Sequence, residues 1–436
     1  MANTYIYPYG QSAKMPDGYP IADDLNTDSA QQALSAKQGK KLYDMMNNVI
    51  DCPSVLTSYV GDTLQLFKYP LLQGFIDGRN VNISVGTTDV NIRKMGKDLN
   101  RYFEFIPTST GTYTLKLNAT SRNLDIIASK EVTVNVVTPT SPQTKKNILF
   151  IGDSVTQGTT LNTNGVSADS DAGAGPDSPF SNEVKDLLTS SRTATATLPA
   201  GLGLTNIQLI GSLNTNGGRN EGRGGWTTQQ YMQSGSPFYI GGKVDFNAYL
   251  DQNSIYPDTS HKGVDVIYIL LGANDSAPLS IDNGRFGWDM SIREERLINL
   301  LTTIKEQLIT DPTKTYYNPN LKVVLLGYPY AYLAGFGYHP YGSGQYTDGS
   351  GMAKLKSTIN ASSDKVAAMD EFSSFVSTYR VAAQIDSQYS YAWKTKQVNN
   401  YMSKTELVNI EGSHPNAFGY KQMGAAIARH IIGLGL

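Results

Sequence analysis

Four short segments of this chain hold residue types able to do nucleophilic chemistry, and they occur in a fixed order. The first is Gly152-Asp153-Ser154, directly after the apolar run Ile148–Ile151. A serine that leaves a strand's C-terminal end and enters a turn stands where open α/β sheets bind ligands. The second is the glycine-rich stretch from Glu221 to Thr228, which contains Gly222, Gly224, Gly225 and Trp226. Adjacent glycines can turn a backbone N–H toward a ligand. The third is Gly272-Ala273-Asn274-Asp275, after the run Val264–Leu271. An asparagine amide there can donate a hydrogen bond to a developing oxyanion. The fourth is Glu411-Gly412-Ser413-His414-Pro415-Asn416 near the C-terminus. A carboxylate three residues before a histidine can fix the ring and its tautomer while the ring takes a proton from a nucleophile. Taken singly, each segment has a plainer reading: a turn, a flexible loop, an Asn-Asp turn and a structural histidine.

The elements that must position these segments read as follows. Ile148–Ile151, Ile207–Leu213, Val264–Leu271 and Leu321–Leu326 are near-continuous apolar runs, the pattern of parallel strands covered on both faces. Helical stretches lie between them, over Phe180–Leu188, Ser291–Ile309 and part of 352–385. A last helix is expected to start near Pro415, a favoured first helical position. Alternating strands and helices imply a doubly wound α/β sheet over residues 147–436. Residues 53–138 instead alternate with period two: Tyr113, Leu115 and Leu117, then Val132, Val134 and Val136. Turn residues punctuate them at Gly61-Asp62, Asp77-Gly78 and Gly86, which predicts a β-sandwich. Gly111-Thr112-Tyr113 resembles the tyrosine-corner region of immunoglobulin-like domains. The sandwich carries no visible chemistry and reads as a spacer or a binding module. Residues 139–146, with Pro139 and Pro142, are a linker. Residues 1–52 are an arm: a polar, proline-punctuated start, then a short helix from Asp28 to about Ile50, with Leu42, Met45 and Val49 on one face. Such a helix is too short to stand alone.

Together the four segments resemble the ordered blocks of the SGNH (GDSL-type) hydrolase superfamily over residues 145–436. Gly152-Asp153-Ser154 matches the first block and Gly272-Ala273-Asn274-Asp275 the third. His414 with Pro415-Asn416 matches the last. Gly225, followed by Trp226-Thr227, best fits the second, with Gly222 and Gly224 still open. The family has Asp three residues before the histidine, and Glu411 stands in that place here. The resemblance implies a three-layer α/β/α, flavodoxin-like fold. It implies Ser154 as nucleophile, His414 as general base and Glu411 as its orienting carboxylate. The oxyanion hole would be built from Ser154 N, Gly225 N and the Asn274 amide, and no metal or cofactor is implied. Asp153, Trp226, Asp275, Tyr330 and Tyr338 are candidate substrate contacts. Tyr328, Tyr330, Tyr332, Phe336, Tyr338, Tyr341 and Tyr346 crowd one glycine-rich stretch. Aromatic faces of this kind pack on sugar rings, and no long apolar groove for an acyl chain is evident. The favoured reaction is removal of small acyl groups, acetyl above all, from a polysaccharide. A general esterase or lipase, and a non-catalytic glycan-binding structural protein on the same scaffold, are the alternatives.

Composition narrows the setting. Net charge is −2, so neither nucleic acid nor an anionic membrane surface is an expected partner. The single cysteine, Cys52, allows no internal disulfide and no multi-cysteine zinc site. His261, His339 and His430 lack ligand-spaced partners. No apolar run is long enough to span a membrane. The opening residues have neither a basic nor an apolar region of a signal peptide. Ala33–Leu42 resembles a motif recurring in phage tail-fibre and tail-associated proteins. That resemblance implies a virion protein acting at the host surface. Residues 1–52 would bind other tail proteins or copies of this chain. A bacterial cytosolic esterase is disfavoured by the arm and the sandwich.

Overall fold

In the computed structural model the described residues are 50–71, 82–86, 94–120, 126–159, 179–194, 199–275, 290–329, 350–387, 389–390, 393–397, 405–409 and 414–436, with four short strands before residue 50. Those four pair as Thr4–Ile6 with Ser12–Lys14, antiparallel, and Ile21–Ala22 with Ala33–Leu34, parallel. The expected helix from Asp28 therefore does not hold at Ala33–Leu34, which are extended; the rest of it, up to Val49, lies outside the described residues.

Among the described residues, seven strands follow: β1 (Val55–Tyr59), β2 (Leu64–Phe67), β3 (Asn82–Gly86), β4 (Gly96–Asp98), β5 (Tyr102–Phe105), β6 (Gly111–Thr120) and β7 (Ile126–Val137). They form two sheets, ordered β1-β7-β6-β3 and β2-β5-β4. β6 and β7 form a long antiparallel pair, and β1 runs parallel to β7. The period-two pattern does the work expected of it. Tyr113, Leu115, Leu117, Val132, Val134 and Val136 are buried and meet Leu64, Leu66, Phe103 and Phe105 of the other sheet in one core. Two sheets sharing a core make a sandwich.

After residues 138–145, which form neither helix nor strand, the chain becomes α/β. Its principal elements are β8 (Lys146–Gly152), α1 (Ser154–Gln157), α2 (Phe180–Thr189), β9 (Ile207–Ile210), β10 (Leu213–Thr215), β11 (Gly218–Gly222), α3 (Phe246–Asp251), β12 (Val266–Leu270), α4 (Ser291–Lys305), β13 (Lys322–Gly327), α5 (Ser350–Ala367), β14 (Val376–Arg380) and α6 (Ala417–Gly433), with small antiparallel pairs outside the main sheet, Tyr239–Ile240 with Lys243–Val244 and Trp393–Gln397 with Thr405–Asn409. Five parallel strands lie in the order β9-β8-β12-β13-β14, the flavodoxin-like 2-1-3-4-5 arrangement. The β10-β11 hairpin extends the β9 side. Alternate residues of one strand serve opposite faces. Ile148 and Phe150 join α2 and α6 in one core, and Leu149 and Ile151 join α3 and α4 in the other. Both faces are thus covered, which is why these strands read as unbroken apolar runs.

Three element boundaries differ from the sequence reading. The run Ile207–Leu213 breaks at Gly211, whose φ of +151° ends β9 and lets the chain turn into β10. The last helix, expected near Pro415, starts at Ala417 because Asn416 is its cap: the Asn416 side chain accepts from Gly419 N at 2.9 Å. β14 lies where the sequence suggested only helix.

Candidate active site

The order 2-1-3-4-5 has its topological switch point between β8 and β12, where successive crossovers leave in opposite directions. Ligands of open α/β sheets bind outside the strand ends at such a point. Ser154 follows β8 and Asn274 follows β12, so both stand at this crevice.

Ser154 opens the one-turn helix α1. Asp153 caps it, its Oδ1 accepting from Val155 N at 2.9 Å. The turn ends at Gly158, in the left-handed region at φ +85°. Two glycines let it lie flat on the sheet. A Cβ at Gly152 would fall 1.9 Å from Thr156 Oγ1, and one at Gly222 would fall 2.2 Å from Gln157 N. No side chain fits at either place.

Asp153 is buried, and its second oxygen accepts from the Tyr328 hydroxyl at 2.5 Å, at the end of β13. Burial pushes its carboxyl above the ordinary value; the Tyr328 and Val155 hydrogen bonds and the nearby His414 and Lys356 side chains oppose this. Asp275 is buried too. Its carboxylate accepts from Thr228 N (2.9 Å), Thr228 Oγ1 (3.0 Å) and the Arg296 guanidinium (3.1 Å). Both aspartates were expected to touch substrate. Their oxygens are instead enclosed by protein donors, so they build the frame of the crevice. The same holds for Tyr328, which is only 1% exposed and offers no face to a sugar.

The loop after β11 closes the other side. Gly222 N donates to Asn220 Oδ1 at 2.8 Å and Gly224 N to Gln157 Oε1 at 2.7 Å. Gly225 adopts φ +76°, and a Cβ there would meet nothing within 4 Å. The Trp226 carbonyl accepts from Asn274 Nδ2 at 3.0 Å. This bond aims the Asn274 carboxamide and uses one of its two N–H donors. Trp226 is half-buried, edge-on to the buried Tyr231 with centroids 5.1 Å apart. The Tyr231 hydroxyl reaches back to Gly152 O at 2.7 Å and ties this loop to the end of β8.

His414 lies 260 residues from Ser154 in sequence, yet its Nε2 is 2.7 Å from Ser154 Oγ. A hydroxyl hydrogen-bonded to an imidazole nitrogen is the arrangement of a base-activated nucleophile. Glu411, Tyr330 and Tyr338 lie outside the described residues. His430, the histidine of α6, is structural. It stacks on Tyr379 at 4.0 Å, bonds the Tyr268 hydroxyl through Nδ1 at 2.8 Å, and is pushed by burial down to about 4.

The sequence reading missed Tyr328, Tyr231 and Gln157 as frame residues. Each acts on a partner far away in the chain, so no local pattern marks it. Only the position of Tyr328, at a strand's C-terminal end, offered a signal.

Residues 21–52 match the family model of phage tail fibre repeats. No curated protein sequence matches the chain. Among solved structures, it is similar to a carbohydrate acetylesterase from Sinorhizobium meliloti (18% identity, TM-score 0.36, covering 66% of this chain and 100% of that one). It is also similar to a carbohydrate esterase family 2 enzyme with a carbohydrate-binding domain from Corynascus thermopiles (Myceliophthora fergusii), at 15% identity and TM-score 0.32, covering 89% of this chain and 99% of that one. A third is phospholipase A1 from Streptomyces albidoflavus NA297 (15% identity, TM-score 0.31, covering 66% and 99%). In motif order and strand order the α/β domain resembles the SGNH hydrolases, and the N-terminal segment resembles phage tail fibre repeats.

Proposed function

We propose that residues 147–436 are a serine esterase that removes acetyl groups from a polysaccharide, carried on a phage tail and acting at the host surface. The single observation behind the enzymatic part is the 2.7 Å contact between His414 Nε2 and Ser154 Oγ at the switch point of the sheet. Ser154 attacks the ester carbonyl as its proton passes to His414. The tetrahedral oxyanion is met by Ser154 N, Gly225 N and the Asn274 side-chain amide. His414 then protonates the leaving sugar oxygen, and water activated by the same ring releases acetate from the acyl-enzyme. Gly225 is favoured over Gly222 and Gly224 because the amides of those two already donate within the protein. Glu411 is assigned to orient the ring, Trp226 to line the entrance, and Tyr330 and Tyr338 to meet the sugar.

We read the sandwich as immunoglobulin-like. What supports this is its sheet partition, with the third, sixth and seventh strands together, and the Tyr113 hydroxyl turning back to Ser109 O at 3.1 Å as a tyrosine corner does. Residues 1–52 are assigned to attachment, on the strength of the tail fibre match.

The test is acetate release from a panel of acetylated bacterial polysaccharides, with Ser154→Ala as control. Release by the wild type alone supports the reading. Faster turnover of long-chain than of acetyl esters would replace it with a lipase. No turnover of any ester by the wild type would replace it with a binding protein on this scaffold.

A further inference from the structure

One turn of the sandwich reaches the loop that bonds to Asn416, two residues after His414. Arg101 sits between β4 and β5 in a braced turn. Leu99 N donates to Tyr102 O at 2.9 Å, Lys68 N donates to Arg101 O at 2.9 Å, and Lys68 Nζ pairs with Asp98 at 2.7 Å. From this turn the Arg101 guanidinium crosses to the α/β domain. It pairs with Asp386 and lies over the Tyr389 ring, 4.3 Å from its centroid.

Those two residues belong to the loop that holds the start of α6. Asp386 O accepts from Ser390 N at 2.8 Å, closing the loop. Gln422 Oε1, one turn into α6, accepts from Asp386 N at 2.9 Å and Ser390 Oγ at 2.6 Å. Tyr389 O accepts from Asn416 Nδ2, and Ser390 O from Asn416 N, both at 2.8 Å. The fit is close: a Cβ on Gly419 would fall 2.4 Å from Ser390 O. Asn416 is the cap of α6, and only the buried Pro415 separates it from His414.

We infer that Arg101 of the sandwich is a positioning residue for His414, acting through the Asp386–Ser390 loop and the Asn416 cap. The catalytic centre of the esterase proposed above, on which this inference rests, is then completed by a second domain. The physical demand is plain. His414 follows a long excursion from β14, and an imidazole displaced by a fraction of an ångström loses proton transfer faster than it loses substrate binding. An arginine bridging to the loop from the braced β4–β5 turn removes that freedom. Arg101 is 43% exposed at its side chain, so its pair with Asp386 contributes little to stability. Its effect should therefore appear in rate.

Full-length Arg101→Ala and Arg101→Lys are compared with the wild type in three measurements: kcat and KM on p-nitrophenyl acetate, the rate of Ser154 labelling by a fluorophosphonate, and amide hydrogen exchange. Expected for Arg101→Ala are a drop of about tenfold in kcat and in labelling rate, KM within about twofold, and loss of exchange protection at 386–390 and 414–420. Arg101→Lys, which keeps the cation, should recover part of each. Wild-type labelling rate and wild-type protection in Arg101→Ala would overturn the inference. If the wild type itself resists the fluorophosphonate, the esterase reading fails instead, and exchange still decides the clamp: lost protection supports it and unchanged protection overturns it.

Discussion

The two domains finish their strands in opposite ways. In the sandwich, short turns join successive strands, between β4 and β5 within one sheet and at Val60–Thr63 from β1 of one sheet to β2 of the other. In the α/β domain the chain leaves β8 to one side and reaches β12 from the other, and the loops after β8, β11, β12 and β13 meet at one edge. Three buried carboxylates there hold those loops: Asp153 by Tyr328, Asp275 by Thr228 and Arg296, Glu221 by Ser212 and the Tyr249 hydroxyl. The sandwich uses its buried carboxylate differently. Asp62 faces Arg429 of α6 with paired bonds of 2.7 and 2.9 Å, which lock one domain to the other. In one region carboxylates shape a site. In the other they fix a boundary.

This contrast can be broken by separating rate from stability. The largest effect belongs to the site. Ser154→Ala and His414→Ala should each lower esterase kcat by about 10^4-fold or more with an unchanged melting temperature, and Glu411→Gln should cost less than either. Residual turnover near wild type in pure Ser154→Ala would remove the nucleophile from the scheme. Next comes the boundary. Asp62→Asn leaves the Arg429 charge buried without its partner, so unfolding free energy should fall by about 3–5 kcal/mol in chemical denaturation. A loss below about 1 kcal/mol would mean that the interface carries no such charge penalty. Asn274→Ala removes one oxyanion donor and should lower kcat by about 10²–10³-fold with little change in KM. An equal effect on KM would make Asn274 a ground-state contact instead.

The smallest effect is a pH dependence. Burial lowers His430 from 6.5 to about 4 in the folded protein. The unfolded chain therefore takes up this proton first. The stability tied to neutral His430 is complete above about pH 6.5 and is lost as pH falls toward 4, to a total on the order of 3 kcal/mol. Melting curves between pH 7 and 4.5 should show a shallower loss for His430→Gln than for the wild type; parallel curves would refute the assignment.

How much of this was legible in the sequence follows from where each signal lives. Residues that act with their immediate neighbours were readable. The apolar runs of β8, β12 and β13 announce burial on two faces, and Tyr113, Leu115 and Leu117 announce burial on one. Ser154, Asn274 and His414 each sit beside a recognisable strand end or helix start. β14 was not readable: it is an edge strand whose Ser377 is exposed and whose sequence, Val-Ser-Thr-Tyr-Arg, lacks an apolar run. The helix start was readable to within two residues, because proline and asparagine both favour that region, and the hydrogen-bonding side chain took the cap. Asp153–Tyr328 and Arg101–Asp386 join residues 175 and 285 positions apart. Such pairs exist only once the sheet order and the domain contact are known.

The parallel pairing of β1 with β7 has a mechanical consequence. β1 begins just after the N-terminal segment, and β7 leads out to the α/β domain, with Val55 opposite Thr133 and Tyr59 opposite Val137. Tension between that segment and the α/β domain pulls the two strands along their length in opposite directions. The rungs of the ladder are loaded together in shear instead of opening one after another. A protein tethered at one end while its other end grips a surface resists extension best with this geometry, and single-molecule pulling through the two termini would register it as a high, abrupt rupture force.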